Sequence, residues 1–388
     1  MHKQVKTLPL NSLSSIGGYM KRHFFLTITI KITLSFLLFS TTAEAKLAGK
    51  NLLLVHGFQL EHLLSAPTDN GKADAENYWR NFEPATKNPE STRILHWPSH
   101  LRIEGQHGIA ALLSEQLTTI LSSGFCDNQC IIVTHSTGDL VTRYMLANKY
   151  SLLGPELAEK LKVAAVIDMA GAGGGTEIAS VILDVINGIN QSSTMVEIVK
   201  FISGVDLSAA TTTGIVTDLQ PNIARNLALN HMDAIPHLRI ASTGNEDYFG
   251  FLSDMFIKGG DDSVVPLHST CGAVFANSYS SCVKDLAMDG KVQHVNDAPH
   301  SSELYDYHYP IILSDALAHT DMNKDIRGNS MTFALEGASR YEDQNANALA
   351  LLPEYEVVTF WWDWFNEYRL ITGAQNKSVG RVIIDTFE

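Results

Sequence analysis

Cysteine is scarce in this chain of 388 residues: there are four, and no pair has C-x-x-C spacing. That argues against a cysteine-held metal or a dithiol redox centre. Internal repeats and low-complexity tracts are also missing, so neither a solenoid nor a linker-rich architecture is expected. Positive charge is in deficit, with 28 Lys and Arg against 42 Asp and Glu and a net charge of −14. A surface of this sign repels nucleic acid and anionic membranes. The most apolar stretch, residues 24–40, is interrupted by Lys31, which argues against a permanent membrane span. What remains is an ordinary globular composition, 45% hydrophobic and 18% charged, with enough length for a large core.

Residues 1–45 stand apart from the rest. Met20-Lys21-Arg22-His23 is a basic start, the 24–40 stretch follows, and Ala43-Glu44-Ala45 is a small-x-small cleavage site. This reads as a secretory signal peptide beginning at Met20 and cleaved after Ala45, with residues 1–19 as an upstream extension. An uncleaved anchor is the alternative. No cysteine follows the cleavage site, which disfavours a lipoprotein. A secreted or periplasmic protein of 343 residues is therefore expected, as one domain over 46–388. Export removes five basic residues and one acidic residue, leaving 23 against 41 and a charge of −18. In an oxidising compartment the two close pairs, Cys126/Cys130 and Cys271/Cys282, read as local disulfides.

The most informative run is Cys130-Ile131-Ile132-Val133-Thr134-His135-Ser136-Thr137-Gly138-Asp139-Leu140. β-Branched residues build a buried strand, a serine sits between small neighbours, and a helical segment from Leu140 to Asn148 follows. A strand-to-helix turn this sharp strains its central residue and lifts the serine Oγ above the sheet edge. The free N–H groups of the helix start lie beside it and can stabilise an oxyanion. Thr134 stands where the G-x-S-x-G pattern has its first glycine. Upstream, Asn51-Leu52-Leu53-Leu54-Val55 is a continuous apolar run ending in His56-Gly57-Phe58, as in a parallel strand buried on both faces.

These residues resemble the α/β-hydrolase fold and, within it, the bacterial lipases. The resemblance rests on Val55-His56-Gly57-Phe58, on Thr134 to Gly138, and on the segment from Asp168 to Ala179. It continues through Asp261-Asp262-Ser263-Val264-Val265 and Ala318-His319-Thr320-Asp321, in the expected order over residues 51–323. It implies a mostly parallel sheet of about six core strands, helices on both faces and a helical cap insertion. Apolar β-forming runs alternating with helical stretches agree with that architecture. Strands are predicted at 51–55, 92–97, 130–135, 163–169, 237–243 and 307–313, and a helix from Gly108 to Leu121.

The resemblance also implies a Ser-Asp-His triad with Ser136 as nucleophile. Asp262 is the preferred acid because it precedes Val264-Val265; Asp261 and Asp168 are its competitors. Four histidines follow Asp262: His294, His300, His308 and His319. Chain order admits all four, and only His319 lies on the loop after the last predicted strand. The backbone N–H groups of Phe58 and Thr137 are the expected oxyanion donors. No cofactor or metal is expected; a calcium ion near Asp321, as in some related lipases, lacks a ligand set. Gly171-Ala172-Gly173-Gly174-Gly175 follows a late strand without an acidic ribose partner, so it is not a dinucleotide fingerprint.

Residues 176–235 form the expected cap, with apolar helical stretches at Ile178–Ile186 and Met195–Ile202 and a Ser/Thr/Ala-rich link at 208–214. A second insertion, 271–305, carries the Cys271/Cys282 pair, and 325–388 is a C-terminal extension whose aromatic run 360–368 is expected to pack on the core. An apolar cap points to a lipase or carboxylesterase acting on a small-molecule or lipid ester, with transient contact at a lipid interface. A thioesterase, a phospholipase or a polyester depolymerase would use the same residues. A catalytically inactive binding module is the non-enzyme alternative.

Overall fold

The computed structural model describes residues 50–189, 206–227, 235–244, 256–279, 281–282, 303–313, 317–326, 333–335, 355–360 and 363–387, together with Val196 and Lys200. Six parallel strands form its centre: β1 (Asn51–Val55), β2 (Thr92–Leu95), β3 (Cys130–His135), β4 (Val163–Met169), β5 (His237–Ala241) and β6 (His308–Leu313). They pair in the order β2-β1-β3-β4-β5-β6. The strand order reverses between β1 and β3, and the carboxyl ends flanking such a reversal are where open α/β sheets bind ligands. This is the α/β-hydrolase fold.

Burial on both faces explains the near-continuous apolar strands. Alternate residues point to opposite sides of a strand. Leu53, Val55 and Ile132 join Ile109, Leu113, Leu117 and Leu121 of the helix Ile109–Ser122 in one buried cluster. Leu52, Leu54, Ile131, Val133, Ile167 and Met169 face the other way, onto Trp79, Phe82 and the C-terminal helix Val379–Phe387 through Val382, Ile383 and Ile384. Each such aliphatic side chain contributes about 1.5–3 kcal/mol by leaving water.

The sheet is wider than the sequence pattern implied. β7 (Phe333–Leu335), β8 (Tyr355–Phe360) and β9 (Asp363–Ile371) extend it beyond β6 in the order β7-β9-β8, all antiparallel. Part of the predicted C-terminal extension is therefore sheet. The side chains of the aromatic run 360–368 lie outside the described residues, so its expected packing does too. Predicted strand ends at 92–97 and 237–243 were two residues too long, because the chain turns into loops after Leu95 and Ala241.

Both expected cysteine pairs are joined as disulfides, Cys126–Cys130 and Cys271–Cys282. In the 176–235 segment, the helix Ile178–Ile186 forms as expected; of Met195–Ile202 only Val196 and Lys200 fall within the described residues. Residues 207–227 run over the body and are pinned there. Arg102 Nε donates to Asp218 Oδ1 at 2.8 Å and the Ile103 N–H to Asp218 Oδ2 at 2.8 Å. No helix among the described residues is long and apolar enough to cross a membrane.

Candidate active site

Ser136 follows the end of β3 at His135 and precedes the helix Gly138–Ala147. Its φ is +57°, the left-handed region that an L-residue other than Asn or Asp enters at a cost of about 1–3 kcal/mol. Backbone bonds hold it there. The Ser136 N–H donates to the Met169 carbonyl at 3.0 Å, and its own carbonyl accepts from Asp139 at 3.1 Å and Ala172 at 2.9 Å. Two glycines let this turn approach β1. A Cβ on Gly138 would collide with the Val55 carbonyl oxygen, and one on Gly57 would meet Ser136 Cβ at 2.8 Å. The Gly57–Phe58 backbone therefore runs against the serine, and Thr137 follows it in the chain as the helix cap. Both proposed oxyanion donors thus belong to backbone next to Ser136.

Thr134 is accommodated by a bond that glycine could not make. Its Oγ1 donates to Asp168 Oδ1 at 2.5 Å. Asp168 is fully buried and also accepts from His237 Nδ1 at 3.0 Å and Arg239 Nη1 at 3.1 Å. Burial alone would raise its pKa; the Arg239 charge, then the bonds from His237 and Thr134, outweigh that and bring it to about 2. Arg239 reaches on to Asp139 on the elbow helix, with Nη2 2.5 Å from Oδ2. Asp139 Oδ2 in turn accepts the Gly173 N–H at 2.7 Å, so the glycine-rich turn 171–175 wraps this ion pair. Asp139, Asp168 and His237 are close enough together to hold a cation, but the Arg239 guanidinium already lies among them. One competitor for the triad acid is thereby committed to a structural pair beneath the elbow.

Asp262 has a different setting. Its Oδ1 accepts the N–H groups of Val264 at 3.1 Å and Val265 at 2.8 Å, and its Oδ2 accepts His319 Nδ1–H at 2.7 Å. The His319 N–H also donates to the Asp262 carbonyl at 3.1 Å, so Asp262 and His319 are tied at both backbone and side chain. With its proton on Nδ1, the imidazole presents the Nε2 lone pair. Asp261 is turned elsewhere and accepts the Ser263 N–H at 2.7 Å. His308 is buried in β6, stacked on His237 with centroids 4.5 Å apart; His294 and His300 lie outside the described residues. Asp321, where a calcium was considered, pairs with Lys324 Nζ at 3.1 Å.

Sequence reasoning missed one connection. The Tyr78 hydroxyl donates to His135 Nδ1, and His135 Nε2–H donates to the His319 carbonyl at 2.8 Å. Burial, reinforced by the nearby His319 and Lys324, holds the His135 pKa well below 6.5, so the ring is neutral and one nitrogen can accept while the other donates. No local pattern could reveal this. Tyr78 lies 57 positions before His135, and His135 lies 184 positions before His319.

Ser136 and His319 open into one cavity of about 470 Å³. Phe58, Leu60, Ile178, Ile182 and Val264 give it an apolar wall. The remaining lining includes Tyr78 and His135 and a polar group from two segments, residues 77–81 and 320–324.

No protein-family model matches this chain, and no curated protein does. Among solved structures it resembles a metagenomic carboxyl esterase (20% identity, TM-score 0.37), covering 57% of this chain and 60% of the esterase, short of two thirds of its length. The mature lipase of Bacillus licheniformis aligns at 16% identity and TM-score 0.37, over 56% of this chain and 76% of the lipase. For Staphylococcus hyicus lipase the values are 12% and 0.39, over 71% and 89%. These likenesses are remote, and the fold rests on strand order, register and the turn at Ser136.

Proposed function

We propose that this protein is an exported serine ester hydrolase. The observation that carries this reading is the strained Ser136 opening into the same cavity as a His319 whose Nδ1–H is held 2.7 Å from Asp262 Oδ2. In this reading His319 Nε2 takes the Ser136 proton while Asp262 holds the tautomer and stabilises the imidazolium. The serine oxygen attacks the ester carbonyl, and the Phe58 and Thr137 N–H groups hold the oxyanion. Each such donor is worth about 3 kcal/mol of barrier. The alcohol leaves with a proton from His319, and water activated by His319 then releases the acid from the acyl-enzyme. A substrate reaching Ser136 meets the Ile178/Ile182 wall, so a hydrophobic acyl ester, as for a lipase or carboxylesterase, fits best.

Hydrolysis of p-nitrophenyl esters of increasing chain length tests the reading. Wild type should turn over medium or long chains. Ser136→Ala and His319→Ala should each fall below a hundredth of that rate with the fold intact, and His308→Ala should be far milder. Residual Ser136→Ala activity above that level removes Ser136 from the nucleophile role. Cleavage confined to acetate and butyrate would make this a small-ester carboxylesterase and take the cap role away from 176–235.

A further inference from the structure

The cavity that holds Ser136 and His319 has two unlike walls. Beside the apolar Phe58, Leu60, Ile178, Ile182 and Val264, its lining has a polar set, Asn77, Arg80, Asn81, Thr320, Asn323 and Lys324. Fifteen described residues line the cavity; two are cationic and none is Asp or Glu. That is the reverse of the chain as a whole, in which acidic residues outnumber basic ones 42 to 28. The two cations come from segments far apart in sequence. Arg80 follows the short helix Lys72–Tyr78, and Lys324 lies five positions after His319. Among the described residues Arg80 makes no ion pair, whereas Lys324 Nζ lies 3.1 Å from Asp321 Oδ1, a carboxylate that does not line the cavity. Asn323 is fixed by donating from Nδ2 to the Tyr78 carbonyl at 3.1 Å, which joins the two polar segments.

An ester bound across Ser136 has an acyl arm and an alcohol arm. The apolar wall suits the acyl arm, since a buried chain gains about 0.8 kcal/mol per methylene there. The alcohol arm then lies along the polar wall. Arginine and lysine recognise phosphate through charge-assisted hydrogen bonds, and amide groups add neutral donors. We propose that this wall is a subsite for a phosphate group carried on the leaving alcohol, so that acyl esters of phosphorylated alcohols are preferred over their neutral counterparts. The proposal rests on the ester-hydrolase reading and adds the chemical class of the substrate, with Arg80 and Lys324 as its specificity-determining residues.

The test compares a 1-acylglycerol with the 1-acylglycerol 3-phosphate of the same short acyl chain, both kept below micelle formation. Wild type should show a kcat/KM ratio of about tenfold in favour of the phosphate ester, the effect of one charge-assisted contact. The ratio should shrink as salt is raised, drop severalfold in Arg80→Gln, and approach unity in Arg80→Gln/Lys324→Gln. A ratio near one in wild type, or a ratio the substitutions leave unchanged, overturns the subsite while the ester-hydrolase reading stands. Calorimetry on the Ser136→Ala protein reads the subsite without turnover. There the phosphate ester should bind about tenfold more tightly than the neutral one, and equal affinity overturns the proposal whatever the hydrolysis assay shows. Inorganic phosphate that displaced the phosphate ester at equal concentration would also overturn it, in favour of a free-anion site.

Discussion

At the scale of single residues, the pairing of His319 with Asp262 was open to chain order and to the Val-Val step after the acid. Tyr78 was not, because its partner is brought close only by tertiary packing. The Tyr78–His135 connection anchors the carbonyl of His319, the proposed base, so it fixes where the imidazole stands. Tyr78→Phe should therefore lower kcat about tenfold with little change in KM, since a small misplacement of the base acts on the chemical step. His135→Gln, which keeps an N–H donor for the His319 carbonyl, should retain more activity than His135→Leu. Equal losses in the two His135 variants, or a Tyr78→Phe effect confined to KM, would remove the connection from the positioning role. Thr134 teaches the same lesson: a departure from the glycine pattern is explained by a buried carboxylate 34 positions away.

At the scale of elements, β1, β3 and β4 were legible as short runs rich in Leu, Ile, Val and Ala and buried over most of their length, and β6 through Ile311, Ile312 and Leu313. β7, β8 and β9 were not, because β7 has only three residues and the order β7-β9-β8 is set by tertiary pairing that no local pattern shows. The disulfides were legible from spacing. They differ in expected weight, since the Cys271–Cys282 loop spans 11 positions and Cys126–Cys130 only four. Loop-closure entropy assigns about 3 kcal/mol to the longer and about 2 kcal/mol to the shorter. The longer also ties down Cys271 and Ala273, next to the Asp262 loop and packed in the cluster with Ala241 and Ile312. Thermal unfolding of Cys271→Ala/Cys282→Ala should show a larger drop in Tm than Cys126→Ala/Cys130→Ala. The opposite ranking would show that the shorter bridge, at the start of β3, secures the sheet more than entropy implies.

At the scale of the whole molecule, the buried histidines set the acid limit. Burial lowers the pKa of His56 to about 3; burial, then the Arg225 charge, does the same for His268; and burial holds His135 well below 6.5. These rings stay neutral in the folded protein, whereas the unfolded chain takes up protons near pH 6.5. Their stabilising contribution is therefore complete above about pH 6.5 and is lost as pH falls from there toward 3, at up to about 1.4 kcal/mol per pH unit for each ring. Calorimetric Tm values should be level above neutrality and decline steadily below about pH 6.5; a Tm unchanged down to pH 5 would show that these histidines are protonated in the fold. In the proposed reading, the fold holds Ser136 strained just past the carboxyl end of β3, where His319 activates it. A fluorophosphonate probe, followed by peptide mapping, addresses it directly. Ser136 should carry the label in the wild-type protein, His319→Ala should label far more slowly, and Ser136→Ala should not label at all. A protein whose Ser136 stays unmodified, or one labelled equally fast without His319, would contradict the account.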